Sequence, residues 1–170
     1  MPKLDLPPEI SRALREYYTC EMTTVNRQGQ PITWPCLPYY DEASGQILLS
    51  VSIAFPVKAF NARQHPQVSL LYSDPTGSKL DRAPALLIQG DATVKELLDY
   101  SSPAMRNAFR ALLKRQPDSR RMLSNRLTRK LFGWYIFQRL LITVQPRRLL
   151  IWQDGDFSVA PAEREVSYVE

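Results

Sequence analysis

The run "PITWPCLPYY", residues 31–40, carries prolines at 31, 35 and 38 among strand-forming Ile, Thr, Trp and Tyr. A proline has no backbone N–H to contribute to a ladder, so this run cannot be a central, fully hydrogen-bonded strand. It must lie at a sheet edge, or turn part of its backbone toward something other than a neighbouring strand.

The runs on either side share its strand character. Gln28-Gly29 separates it from "EMTTVNR", and "DEASG" separates it from "QILLSVS", which reads as three strands joined by tight turns. "QVSLLYSD" makes a fourth strand. "ALLIQGDATVKE" makes a fifth, with Gly90 marking a bulge or bend, and "QRLLITVQPRRLLIW" a sixth, with Pro146 as a point where it could break. Helical signals are fewer. "LPPEISRALREYYTC" opens on two prolines and puts Ile10, Leu14 and Tyr17 or Tyr18 on one face. Pro56 starts and Pro66 stops a two-turn helix, "VKAFNARQ". From residue 97 to 132 the apolar spacing becomes helical, which makes an insertion between strands five and six. The expected fold is therefore mainly β with some α, a six-stranded antiparallel barrel of one domain over residues 1–170. It has an N-terminal helix, a short helix between strands three and four, and the helical insertion. Closure into a barrel removes sheet edges.

At 170 residues, 44% hydrophobic and 23% charged, the chain can bury a full core. No apolar run reaches membrane-spanning length and the N-terminus lacks a signal-like core, so the expected setting is the cytoplasm, with no membrane partner. Cys20 and Cys36 are too few for a disulfide framework and fit no zinc spacing; His65 is the one histidine, so no metal site is expected. The net charge of +5 is concentrated in residues 106–148, which hold twelve Lys/Arg and one acid, Asp118. Two amphipathic helices with a solvated basic face account for it best. A lid that attracts an anionic substrate comes next, and nucleic-acid binding is the least favoured reading.

Catalytic signatures are thin. The chain has no G-x-S-x-G, P-loop or G-x-G-x-x-G, and no side chain stands out as acid, base or nucleophile. A chain so placed usually takes its chemistry from a cofactor. Lys58 is the best anchor for one, because it sits in the first turn of the short helix, where the helix dipole favours an anion. Ser50 and Ser52 precede it on the strand, and Asn61 follows on the same helix face.

From about residue 20 to residue 153 the chain resembles the pyridoxamine 5′-phosphate oxidase-like family, the FMN-binding split β-barrels. The resemblance is carried in order by "TTVNRQGQPITWPCLPYYDEASGQILLSVS", "PVKAFNARQHPQVSLLYSD", "LLIQGDATV" and "ITVQPRRLLIW". It implies a homodimer with FMN in a cleft between subunits, and a flavin-dependent oxidoreductase acting on a small molecule or on a donor such as NAD(P)H. Lys58 falls on the family's phosphate-binding lysine, Val51 and Ser52 on strand-end residues at the ribityl-phosphate, and Asn61 on a polar helix position near it. Trp34, Pro35, Cys36 and Leu37 fall on the strand whose backbone lies along the isoalloxazine ring, and Trp152 on the last strand's tryptophan.

Two departures accompany the resemblance. Many members have an arginine where this chain has Pro56, so the phosphate charge has to be met elsewhere, by Arg139, Arg147 or Arg148 of the partner subunit. This leaves a deazaflavin open as an alternative cofactor. The ending "AEREVSYVE" lacks the Arg/Pro-containing terminus of the true pyridoxamine phosphate oxidases, which argues against vitamin B6 oxidation. A non-enzymatic flavin-binding or sensor protein on the same fold is the alternative to an enzyme.

Overall fold

The computed structural model describes residues 3–95, 103–115 and 139–169, together with Ser124, Arg126, Leu127 and Lys130. Its centre is an antiparallel sheet of eight strands. Along the path these are β3 (Pro31–Cys36), β2 (Cys20–Val25), β6 (Gln67–Tyr72), β7 (Ala85–Lys95), β8 (Arg139–Trp152), β5 (Gln46–Ser52) and β4 (Pro38–Asp41), with β9 (Ala162–Glu165) also paired to β8. The two ends of the path, β3 and β4, are consecutive in the chain through Leu37. The sheet thus curls into a half-barrel whose ends meet at one residue.

This corrects the expected six strands. The proline-rich run is two strands, because among the described residues β3 pairs only with β2 and β4 only with β5. Pro35 and Pro38 bracket the switch, and neither can donate a ladder bond to hold one continuous strand. Further strands arise in the C-terminal segment: β9, and β10 (Tyr168–Val169), which pairs with β1 (Lys3–Leu4). Conversely, β8 does not break at Pro146. It runs through as a bulge, with Gln89 opposite Arg148 and Gly90 opposite Pro146, so that Arg147 is the extra residue.

Inward-facing residues of the sheet, among them Met22, Leu49, Leu70, Ile88, Ile142 and Leu149, form the core. Helix α1 (Pro8–Glu16) adds Ile10, Ala13 and Leu14, and Tyr17 rather than Tyr18 completes its apolar face. The Tyr17 ring meets Tyr72 edge-on at 5.5 Å, and its hydroxyl donates to the Pro84 carbonyl at 2.9 Å. Helix α2 (Val57–Gln64) has the expected bounds, and it packs on β2, β7 and β8 through Ala59 and Ala62. Of the basic insertion, α3 (Pro103–Arg115) is described, and of the expected second helix the described residues are Ser124, Arg126, Leu127 and Lys130, all helical. Ala108 packs with Tyr39, Leu48 and Leu141, while Arg106, Arg110 and Lys114 face outward. Arg115 ties α3 to its neighbours, donating to the carbonyls of Pro38 at 2.7 Å and Arg15 at 2.9 Å and lying over the Tyr18 ring. Among the described residues no helix is long and apolar enough to cross a membrane.

Two outcomes test this packing. A Cβ on Gly90 would sit 2.3 Å from the Gln145 carbonyl oxygen across the bulge, so Gly90→Ala is expected to cost about 1–3 kcal/mol, read as a lower denaturation midpoint. Burial, with a smaller contribution from Asp74, pushes the Tyr17 hydroxyl up to about 12. The folded chain therefore holds this proton more tightly than the unfolded one. Tyr17 contributes full stability below pH 10, and that contribution is lost as pH rises toward 12. Alkaline denaturation curves of Tyr17→Phe should fall less steeply across that window than those of the parent.

Candidate functional site

Where the barrel ends meet, the chain leaves a cavity of about 500 Å³, within the range of small-molecule and cofactor sites. One wall is Trp34, Pro35, Cys36 and Leu37, the end of β3 and the switch residue. The opposite wall is the end of β5, from Leu49 to Ser52, and the loop and helix start from Ala54 to Lys58 close it. Thr19 and Arg139 complete the lining. Seven of the residues named from the sequence, Lys58, Ser52, Val51, Trp34, Pro35, Cys36 and Leu37, thus meet at one cavity.

Its polar groups are held in place. Lys58 Nζ lies 3.3 Å from Cys36 Sγ, which in turn lies 3.6 Å from the Trp34 carbonyl. Arg139 Nε donates to Ser50 Oγ at 2.6 Å, and Ser52 Oγ accepts from the Ala54 N–H at 3.3 Å. Burial pushes the Cys36 thiol up, and the Lys58 ammonium acts against that shift. The cavity therefore offers two cations, several hydroxyls and a mostly apolar wall. Such a lining suits an amphipathic ligand with an anionic group and a flat apolar body.

Arg139 joins this set from a distant part of the sequence. Expected from the partner subunit, it lies on this chain's own cavity, because β8 pairs with β5 in the register that sets Arg139 opposite Ser52. The available signal was the hydroxyl-bearing end of one strand and the arginine starting another. Only the pairing brings them together.

Five other named residues are elsewhere. Asn61 faces the interior and is 7% exposed; its Nδ2 donates to Thr24 Oγ1 at 3.1 Å. Helical spacing from Lys58 cannot distinguish a position beside a ligand from one that turns under the sheet. Arg147, the bulge residue, is ion-paired with Asp91, and Trp152 stacks on Phe157 at 5.1 Å. Arg148 pairs with Glu163 on β9. His65 caps the C-terminus of α2. Among the described residues no group of His, Cys, Asp and Glu could hold a metal ion.

Because Asn61 donates to Thr24, itself fully buried, Asn61→Ala is expected to lower stability by about 0.5–1.5 kcal/mol through the lost hydrogen bond, while Thr24 Oγ1 keeps its donation to the Ile32 carbonyl. Thermal unfolding measures this. An unchanged midpoint would return Asn61 to the list of ligand contacts.

No protein-family model matches the chain, and no curated protein does. Solved structures do. General stress protein 26 of Bacillus anthracis is 14% identical, with 92% of this chain and 95% of that one covered and a TM-score of 0.58. A pyridoxamine 5′-phosphate oxidase-related, FMN-binding protein of Nostoc punctiforme is also 14% identical, at 96% and 98% coverage and a TM-score of 0.58. HutZ, a heme storage protein of Vibrio cholerae, is 18% identical, covering 96% of each chain with a TM-score of 0.54. At these identities the likeness carries the fold: this chain has the architecture of the pyridoxamine 5′-phosphate oxidase-like split barrels.

Proposed function

We propose that the chain binds FMN in this cavity and serves as a flavin-dependent oxidoreductase. The observation that carries the reading is the meeting of Lys58 and Arg139 with the proline-rich β3 wall around one cavity. Lys58 and Arg139 neutralise the phosphate, two cations for a group of roughly −1.5 to −2 charge. Arg139 supplies what Pro56, in place of the family arginine, does not. The hydroxyls of Ser50 and Ser52 hydrogen-bond the phosphate and ribityl chain. The backbone of residues 34–37, free of ladder obligations at Pro35, lies along the ring and tunes its electronics, and Trp34 and Phe55 exclude water. FMN, when bound, supplies the electron or hydride transfer for which the chain has no side chain of its own.

The apolar residues exposed around this region, Trp34, Ile53, Phe55, Val57 and Phe60, support a homodimer that covers the cavity mouth. The electron donor is of the NAD(P)H class, the setting is the cytoplasm, and the partner substrate is a small molecule.

Titration with FMN, followed by quenching of flavin fluorescence, tests the reading, with riboflavin and hemin titrated in parallel. Lys58→Ala and Arg139→Ala are each expected to weaken FMN about ten- to a hundredfold, the worth of a charge-assisted hydrogen bond. Riboflavin, which has no phosphate, should bind parent and variants alike. Equal FMN affinity in parent and both variants would overturn the phosphate assignment. Saturable binding of hemin but not FMN would overturn the flavin reading.

A further inference from the structure

Cys20 and Cys36 are direct partners across the β2–β3 ladder, and both are buried free thiols. Directly opposed residues of an antiparallel pair have Cα atoms about 4.5–5.5 Å apart and side chains on the same face. That separation lies within the roughly 4.4–6.8 Å spanned by disulfides. Cys36 is in addition part of the cavity wall, whereas Cys20 is not among the lining residues.

The groups around the pair suit oxidation. The Lys58 ammonium at 3.3 Å from Cys36 Sγ favours the thiolate against the burial that opposes it. Tyr72 is fully buried, and its hydroxyl has no hydrogen-bond partner among the described residues. Cys20 is the first of the ionisable neighbours that, with burial, push that hydroxyl up. Burial pushes the Cys20 thiol well up from its usual range, so Cys36 is the attacking sulfur and Cys20 the resolving one.

We propose that Cys20 and Cys36 are an oxidative modification site, a dithiol in the cavity wall that a small hydroperoxide converts into an intramolecular disulfide. The Cys36 thiolate attacks the terminal peroxide oxygen, the O–O bond breaks, and Cys36 becomes a sulfenic acid as the alcohol or water leaves with a proton. Cys20 sulfur then attacks Cys36 sulfur, the S–S bond forms and the hydroxyl departs as water. Two thiols lose two electrons and two protons, and the hydroperoxide is reduced to an alcohol, or to water for hydrogen peroxide, plus one further water. The disulfide replaces the thiol that Lys58 contacts, and so alters the partner of the cavity's lysine. Because the hydroperoxide enters through the cavity that Cys36 and Lys58 line, this is a reaction of the chain with that cavity open.

The test uses the full chain, reduced, desalted and exposed to hydrogen peroxide, then denatured and alkylated for intact-mass and peptide analysis. The expected product is a monomer lighter by two hydrogens. Neither cysteine is alkylated, the Cys20 and Cys36 peptides are linked, and dithiothreitol restores both thiols. In Cys20→Ser, Cys36 should be trapped by dimedone as the sulfenic acid, and in Cys36→Ser, Cys20 should stay alkylatable. Lys58→Met should slow disulfide formation severalfold, because the ammonium no longer favours the Cys36 thiolate. Two alkylatable thiols after exposure, sulfinic acid without a link, or links only between chains would each overturn the proposal. An unchanged rate in Lys58→Met would overturn the lysine's part.

Discussion

Backbone hydrogen bonding at the proline-rich run is the constraint on which the architecture rests. Pro35 and Pro38 cannot donate to a neighbouring strand, and Leu37 between them belongs to neither ladder. The chain therefore leaves β2 at Cys36 and joins β5 at Pro38. One covalent step joins the two ends of a seven-strand path, and the sheet has to curl to accommodate it. The cavity lies at that join, between the end of β3 with Leu37 and the end of β5.

The rest of the structure supports the join from both sides. On the inner side, Tyr17 and Tyr72 pack edge to face, and Asn61 of α2 reaches Thr24 of β2. On the outer side, Arg115 holds the end of α3 to the carbonyl of Pro38, an acceptor that has no N–H beside it to share in a ladder. Burial holds that guanidinium below its usual range, a cost offset by two charge-assisted bonds to carbonyls and the Tyr18 ring. The basic insertion thus contributes one arginine to the fold and presents Arg106, Arg110 and Lys114 to solvent.

How far the site could be read from residues alone depended on whether its parts were close in sequence. Lys58, Ser52 and Val51 lie within seven residues, and the strand end followed by Pro56 and a helix sets their neighbourhood locally. The wall from Trp34 to Leu37 was legible because prolines at those spacings forbid a central strand. Asn61 was misread because a short helix buries one face and exposes another, and only its packing on β2 and β7 says which. The place of Arg139 on this chain's own cavity is not legible for a different reason. The arginine is far from Lys58 in sequence, and strand pairing has a one-residue register that composition does not encode.

The sequence by itself determined the strands and helices that depend on local rules: the bounds of α2 between Pro56 and Pro66, the turns at Gly29 and Gly45, and the bulge at Gly90. It also determined that residues 31–40 could serve only at an edge. The tertiary structure alone decided that this run is two strands on opposite ends of one sheet, and that Arg139 stands across from Ser52 beside Lys58. It alone set Cys20 directly against Cys36. Proline, glycine and apolar period act through the few residues around them, whereas register and closure are set by which buried faces pack together across the whole chain.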